Sequence, residues 1–171
     1  MFDPTVFENL KVGIENVVYD LDNLDELVLI TGREDLLDMA VMSRSFSLTF
    51  ELRGLKEAAA EIRLDAGLQE LAAEILETPG KQPGCELKVR FYKNVKRIED
   101  ECAAISRIVA AIWEPEIPPV QTVTYIVGEE ANGYRSMTEV RFSRTINEEQ
   151  MEDIPNLADH MLQTLEQLNR I

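Results

Sequence analysis

Cysteine is almost missing from this chain, and its scarcity is the first constraint on what the protein can be. Cys85 and Cys102 are the only two, too few for the disulfide framework of a small secreted domain and without the paired spacing of a zinc site. Both are expected to be reduced thiols. Long hydrophobic runs are absent as well: nothing approaches the ~20 apolar residues that cross a bilayer. The start MFDPTVFENL has neither the basic nor the apolar region of a signal peptide. The expectation is a cytoplasmic protein with no membrane partner.

Positive charge is also in short supply. Lys and Arg number 17 against 32 Asp and Glu, for a formal net charge of -15. Phosphate backbones are bound by clustered Lys and Arg, so a nucleic-acid partner is not expected. The phosphate-cradling loops G-x-x-x-x-G-K-[ST] and G-x-G-x-x-G do not occur, which excludes nucleotide binding through them. Nor is there a G-x-S-x-G elbow, and Met42-Ser43-Arg44-Ser45 does not resemble one. His160 is the single histidine. It cannot supply a zinc set unaided, it has no nearby cysteine, and as a base it lacks a supporting motif. A surface position on the polar flank of the last helix is expected for it.

What the chain does have is acid, unevenly placed. Between Met1 and Ser43, Lys11 and Arg33 stand against Asp3, Glu8, Glu15, Asp20, Asp22, Asp25, Glu26, Glu34, Asp35 and Asp38. A solvated surface is the plain explanation, with a basic partner as the other. The run Asp20 to Glu26 invites a calcium reading, which fails on spacing. Counted from Asp20, Leu24 stands at position 5, Asp25 where the sharp turn wants glycine, and Thr31 where a bidentate glutamate belongs.

Basic residues gather only at Lys88, Arg90, Lys93, Lys96 and Arg97. They could seat an anion, or could complement the acidic N-terminal segment. Glu148, Glu149, Glu152 and Asp153 are explained by the dipole of the helix they precede. Cys102 falls in an apolar helix stripe and is expected to be core. Cys85, beside Gly84 and Glu86, is expected to be more accessible but poorly placed to form a thiolate.

Hydrophobic periodicity supplies the architecture. Asp3-Pro4 starts a helix. Residues 13–21 are ambiguous, because Ile14, Val17, Val18 and Leu21 continue a helical face while Gly13 and Val17 to Tyr19 favour a strand; the expectation is a helix to about Val12, then a strand. Leu27 to Thr31 reads as a second strand, closed by Gly32. Phe46 to Arg53 and Ala58 to Leu64 alternate as a meander turned at Gly54 to Lys56. Asp65 is placed to cap a helix over 66–78, stopped by Pro79-Gly80.

Leu87, Val89 and Phe91 mark a further strand. Asn94 is placed to cap a helix over 95–113 that Pro115, Pro118 and Pro119 end. Val120 to Val127 and Tyr134 to Ile146 read as strands joined by a type I′ turn at Asn132-Gly133. A last helix starts at Asn147 or Asp153 and presents Ile154, Leu157, Ala158, Met161, Leu162, Leu165 and Leu168 on one face.

The chain thus reads as one α+β domain spanning 1–171, an antiparallel sheet of ββα-type units packed against three to four helices. No catalytic, cofactor-binding or metal residues emerge, and no cofactor is implied. The leading expectation is a non-catalytic protein-interaction or assembly module forming a homodimer, since two apolar helix faces exceed what one sheet side covers. The alternative is a small-ligand-binding protein or carboxylate-based enzyme with a pocket between sheet and helices.

Overall fold

A computed structural model describes residues 5–171. The expected start at Asp3-Pro4 lies outside the described residues. Helix α1 (Thr5–Asn23) leads into β1 (Val28–Asp38), β2 (Ser43–Leu52) and β3 (Leu55–Ala66), then α2 (Leu68–Ile75), β4 (Glu86–Val95), α3 (Ile98–Trp113), β5 (Val120–Thr124), β6 (Tyr134–Arg141) and α4 (Ile154–Leu168). The six strands form one antiparallel sheet in the order β1-β2-β3-β4-β6-β5. The α+β fold follows as the sequence implied.

Strand alternation divides the sheet into two unlike faces. Register brings Phe46, Leu48 and Phe50 of β2 against Leu64, Ile62 and Ala60 of β3, and those against Leu87, Val89 and Phe91 of β4. Onto this face the helices bury Phe7, Leu10, Ile14, Leu71, Ile105, Val109, Met161, Leu165 and Leu168, forming one apolar core. The opposite face carries charge in ion pairs along and across the strands. Asp65 meets Arg63 and Lys88 at 3.0 and 3.3 Å, and Arg90 meets Glu139 and Glu61 at 2.6 and 3.4 Å. Burial pushes the Asp65 and Glu139 carboxyls up, but hydrogen bonds from Arg63 and Ser45, and from Arg141 and Arg90, outweigh it and hold both below their ordinary values.

Several local expectations are corrected. Residues 13–21 are helix throughout, not helix then strand, because Ile14 and Val18 continue the buried face of Phe7 and Leu10. Gly13 is tolerated there because α1 passes close to Met151: a Cβ on it would lie 2.3 Å from the Met151 sulfur. β1 runs beyond Gly32, which sits at a register shift after Ile30 rather than at a strand end. Asp65 caps no helix; it belongs to β3, and α2 begins after Gly67 with no side-chain cap. Asn94 likewise stays in β4, and α3 begins after Arg97, where Glu101 accepts the backbone N–H groups of Lys96 and Arg97 at 2.6 Å each.

The β5–β6 connection is no two-residue turn. A longer loop with a 3-10 turn at Glu130–Asn132 joins them, and the strands end at Thr124 and Arg141. Asn147 and Asp153 each start something: Asn147 caps a 3-10 turn, Glu148–Asp153, through a reciprocal bond with Gln150, and α4 follows directly after Asp153.

Candidate functional site

Where α3 ends, the chain must reverse, and Glu114 does this in the left-handed conformation at φ 40, its N–H donating to the Ala110 carbonyl. Trp113, the one tryptophan, is the last residue of α3 before this reversal. Its indole N–H donates to Thr164 Oγ1 on α4 at 2.9 Å, and Thr164 donates in turn to the His160 carbonyl at 2.7 Å. The ring lies 6.0 Å from Phe91, 6.2 Å from Phe142 and 5.5 Å from His160. Across from it the segment after β6 is pinned by a pair of backbone bonds between Cys85 and Ile146, at 2.7 and 2.8 Å.

Between these walls opens a cleft of about 540 Å³. Core side chains such as Ile14, Leu87, Val140 and Ile154 floor it, and Trp113, Phe142, Ile146 and Leu157 wall it. Charged and polar groups stand around this lining: Glu114, Glu116, Asp153, Arg141, Arg144 and His160. His160 is therefore half-buried in the wall of a cleft, not simply on an open surface. Its Nδ1–H donates to the Asn156 carbonyl at 2.7 Å, which leaves Nε2 as the free ring nitrogen.

The His160 imidazole is hydrogen-bonded to a backbone carbonyl and not to a hydroxyl or thiol. The Ser143 hydroxyl donates to the Glu116 carboxylate, and His160 bonds to neither. The arrangement can hold an apolar group against aromatic rings and orient polar substituents at the rim.

Apart from His160 and Asp153, the residues singled out in sequence for their chemistry are not part of this cleft's lining. Cys85 is buried, not accessible. Burial, with Glu74, Glu70 and Asp65 nearby, pushes its thiol up to about 12. Cys102, expected in the core, is partly buried and packs at its margin. Asp22 is occupied: it accepts the Ile30 N–H at 3.1 Å and pairs with Arg53. Among the described residues no group of three or more His, Cys, Asp or Glu is placed to hold a metal ion.

The basic group divides. Lys88 and Arg90 pair with acids of neighbouring strands, not with the N-terminal segment; Lys93 turns onto the helix-covered face and is buried; Arg97 pairs with Asp100. The N-terminal acids find other cations. Glu8 and Asp35 form a closed ring with Lys11 and Arg44, with contacts of 3.1, 2.9, 2.6 and 3.1 Å, and Glu15 pairs with Arg33. Trp113, Phe142 and Arg144 were not singled out by sequence reasoning. The available signal was the placement of a lone tryptophan at a helix end, immediately before Glu-Pro.

The chain matches no protein-family model, and comparisons with curated proteins and with solved structures give no match. Among the described residues no helix is long and apolar enough to cross a membrane.

Proposed function

We propose that this protein is a non-catalytic interaction module that acts in the cytoplasm as a homodimer, and that the Trp113 cleft takes up an apolar group of the molecule it binds. The observation that carries the reading is the cleft itself, in which Trp113, Phe142 and Leu157 form an apolar lining inside a polar rim. Buried aromatic pockets ringed by polar groups are where binding energy concentrates. The groups that chemistry would need already have partners or are buried: Ser143 with Glu116 and His160 Nδ1 with a backbone carbonyl, both within the cleft, and Cys85 in the core.

A small-molecule ligand is the second reading. The cleft volume favours it, since about 540 Å³ falls in the ~300–1,000 Å³ range of small-ligand sites.

Anilinonaphthalene sulfonate, an apolar anionic dye, tests the cleft, because its bound form accepts excitation energy from Trp113. The native protein should bind it at one site with energy transfer. Phe142→Arg should weaken that binding roughly tenfold, the equivalent of about 1.4 kcal/mol, although the new cation would attract an anion. An absence of dye binding, or binding that Phe142→Arg leaves unchanged or strengthens, would remove the cleft from the function.

A further inference from the structure

Among the described residues the sheet has two free edges, and they are built differently. Along β1 the edge is defended. A register shift interrupts it between Ile30 and Gly32, the Asp22 carboxylate occupies the Ile30 N–H, and Arg33, Glu34, Asp35 and Asp38 stud its outer half. Bulges and charge of this kind keep an edge from pairing with another chain.

Along β5 none of these devices is present. From Val120 through Val127 the sequence VQTVTYIV carries no charged residue, in a chain where such residues make up 29%. The pairing of β5 with β6 is regular over its five residues. Among the described residues, no backbone hydrogen bond from 120–124 runs to anything but β6. Beyond the strand, Ile126 and Val127 are 67% and 84% exposed and Ile117 is also exposed, as is Val120 at the start of the strand.

We propose that the β5 edge joins two copies of this chain through an antiparallel β5–β5 pairing centred on Thr122. This rests on the homodimer reading above and adds the surface. A twofold axis at Thr122 lets each copy's outward N–H and C=O groups satisfy the other's, which is the self-complementarity a closed dimer needs. The same register carries the Ile117-Pro118-Pro119 end of one copy to the Tyr125-Ile126-Val127 end of the other, so apolar residues meet apolar residues at both ends. Electrostatics selects the same place. Two copies of net charge -15 repel, and an uncharged strand is where they approach at least cost.

Sedimentation or light scattering across micromolar concentrations reads the outcome. The wild type should show twice the 19.4 kDa chain mass. Thr122 is exposed, and the twofold axis sets it against its own copy. Thr122→Lys and Thr122→Glu should each therefore give monomers with unchanged circular dichroism, and an equimolar mixture of the two should recover the dimer. A wild-type monomer would overturn the homodimer reading and this surface together. A dimer that both variants leave intact would overturn the β5 surface alone, leaving the dimer to another face. Monomeric variants that do not recover on mixing would overturn the pairing centred on Thr122.

Discussion

Gly13 and Met151 are in contact so close that an added methyl group would have to push the Met151 side chain aside: a Cβ at position 13 would stand 2.3 Å from the Met151 sulfur and 3.1 Å from Ile154 Cδ1. The glycine lets α1 lie against the Glu148–Asp153 turn, and that turn delivers α4 to the core. It also explains why a residue that weakens helices sits in the middle of one.

The contact predicts a change of sign. Gly13→Ala alone gains about 1 kcal/mol of helix propensity but overpacks the contact at a cost of ~1–3 kcal/mol, so it should destabilise by about 1 kcal/mol net. In a Met151→Ala background the same substitution should stabilise, by roughly 0.5–1 kcal/mol. Urea unfolding of the four proteins measures both. Stabilisation by Gly13→Ala in the wild-type background would show that Met151 swings aside freely.

The ring of Glu8, Lys11, Asp35 and Arg44 ties α1 to β1 and β2, and it sets a pH dependence. For Glu8 and Asp35, burial raises the pKa, yet hydrogen bonds from Arg44 and Lys11 prevail and the net direction is down. A carboxylate whose folded pKa lies below its unfolded one stabilises the fold above the unfolded value and loses that contribution as pH falls through the folded one. Stability should therefore decline as pH falls from the ordinary carboxylate range, about pH 4, downward. Lys11 and Arg44 shift upward, burial opposing and their carboxylate partners prevailing, so their contribution persists through neutral pH and is lost only in strong alkali. Arg44→Met should cost roughly 1–3 kcal/mol at neutral pH and flatten the acid limb. An acid limb of unchanged slope in that variant would assign the acid sensitivity to other carboxylates, Asp65 and Glu139 first.

Much of this architecture is legible in the sequence because local pattern and tertiary burial agree there. Phe46, Leu48 and Phe50 alternate, and they alternate into the core; Ile154, Ala158, Met161, Leu165 and Leu168 recur at helical spacing, and all are buried. Misreadings arise where the two signals conflict. Val17 to Tyr19 prefer a strand by propensity, but burial of Ile14 and Val18 beside Leu10 needs a helix, and burial wins. Asp65 and Asn94 have the chemistry of helix caps, but cross-strand pairing with Glu86 and Arg135 keeps both in the sheet. A pocket between sheet and helices was only the alternative reading, and its lining was not legible, since Trp113, Phe142 and His160 come from three separate segments.

Divalent cations separate an acidic surface from a binding site, and the structure predicts the outcome from Asp20, Asp22 and Asp25. Asp20 and Asp22 both lie within α1, two positions apart, a spacing that points side chains away from one another. Asp25 lies beyond the helix end. Asp22 is already committed to Arg53 and to the Ile30 N–H. Three carboxylates that do not converge cannot replace the six to eight oxygen ligands calcium requires. Monovalent salt should nevertheless raise the melting temperature, because a net charge of -15 opposes compaction and salt screens that repulsion. The partly buried Glu8–Lys11–Asp35–Arg44 ring is screened less, so the repulsive term dominates the change. Calcium or magnesium at matched ionic strength should therefore add nothing beyond sodium. A site that bound the folded form alone would add about 2.7 kcal/mol at one hundred times its dissociation constant, a rise that differential scanning fluorimetry would resolve. A divalent-specific rise that vanishes in an Asp20→Asn, Asp22→Asn double variant would show that these carboxylates converge in solution.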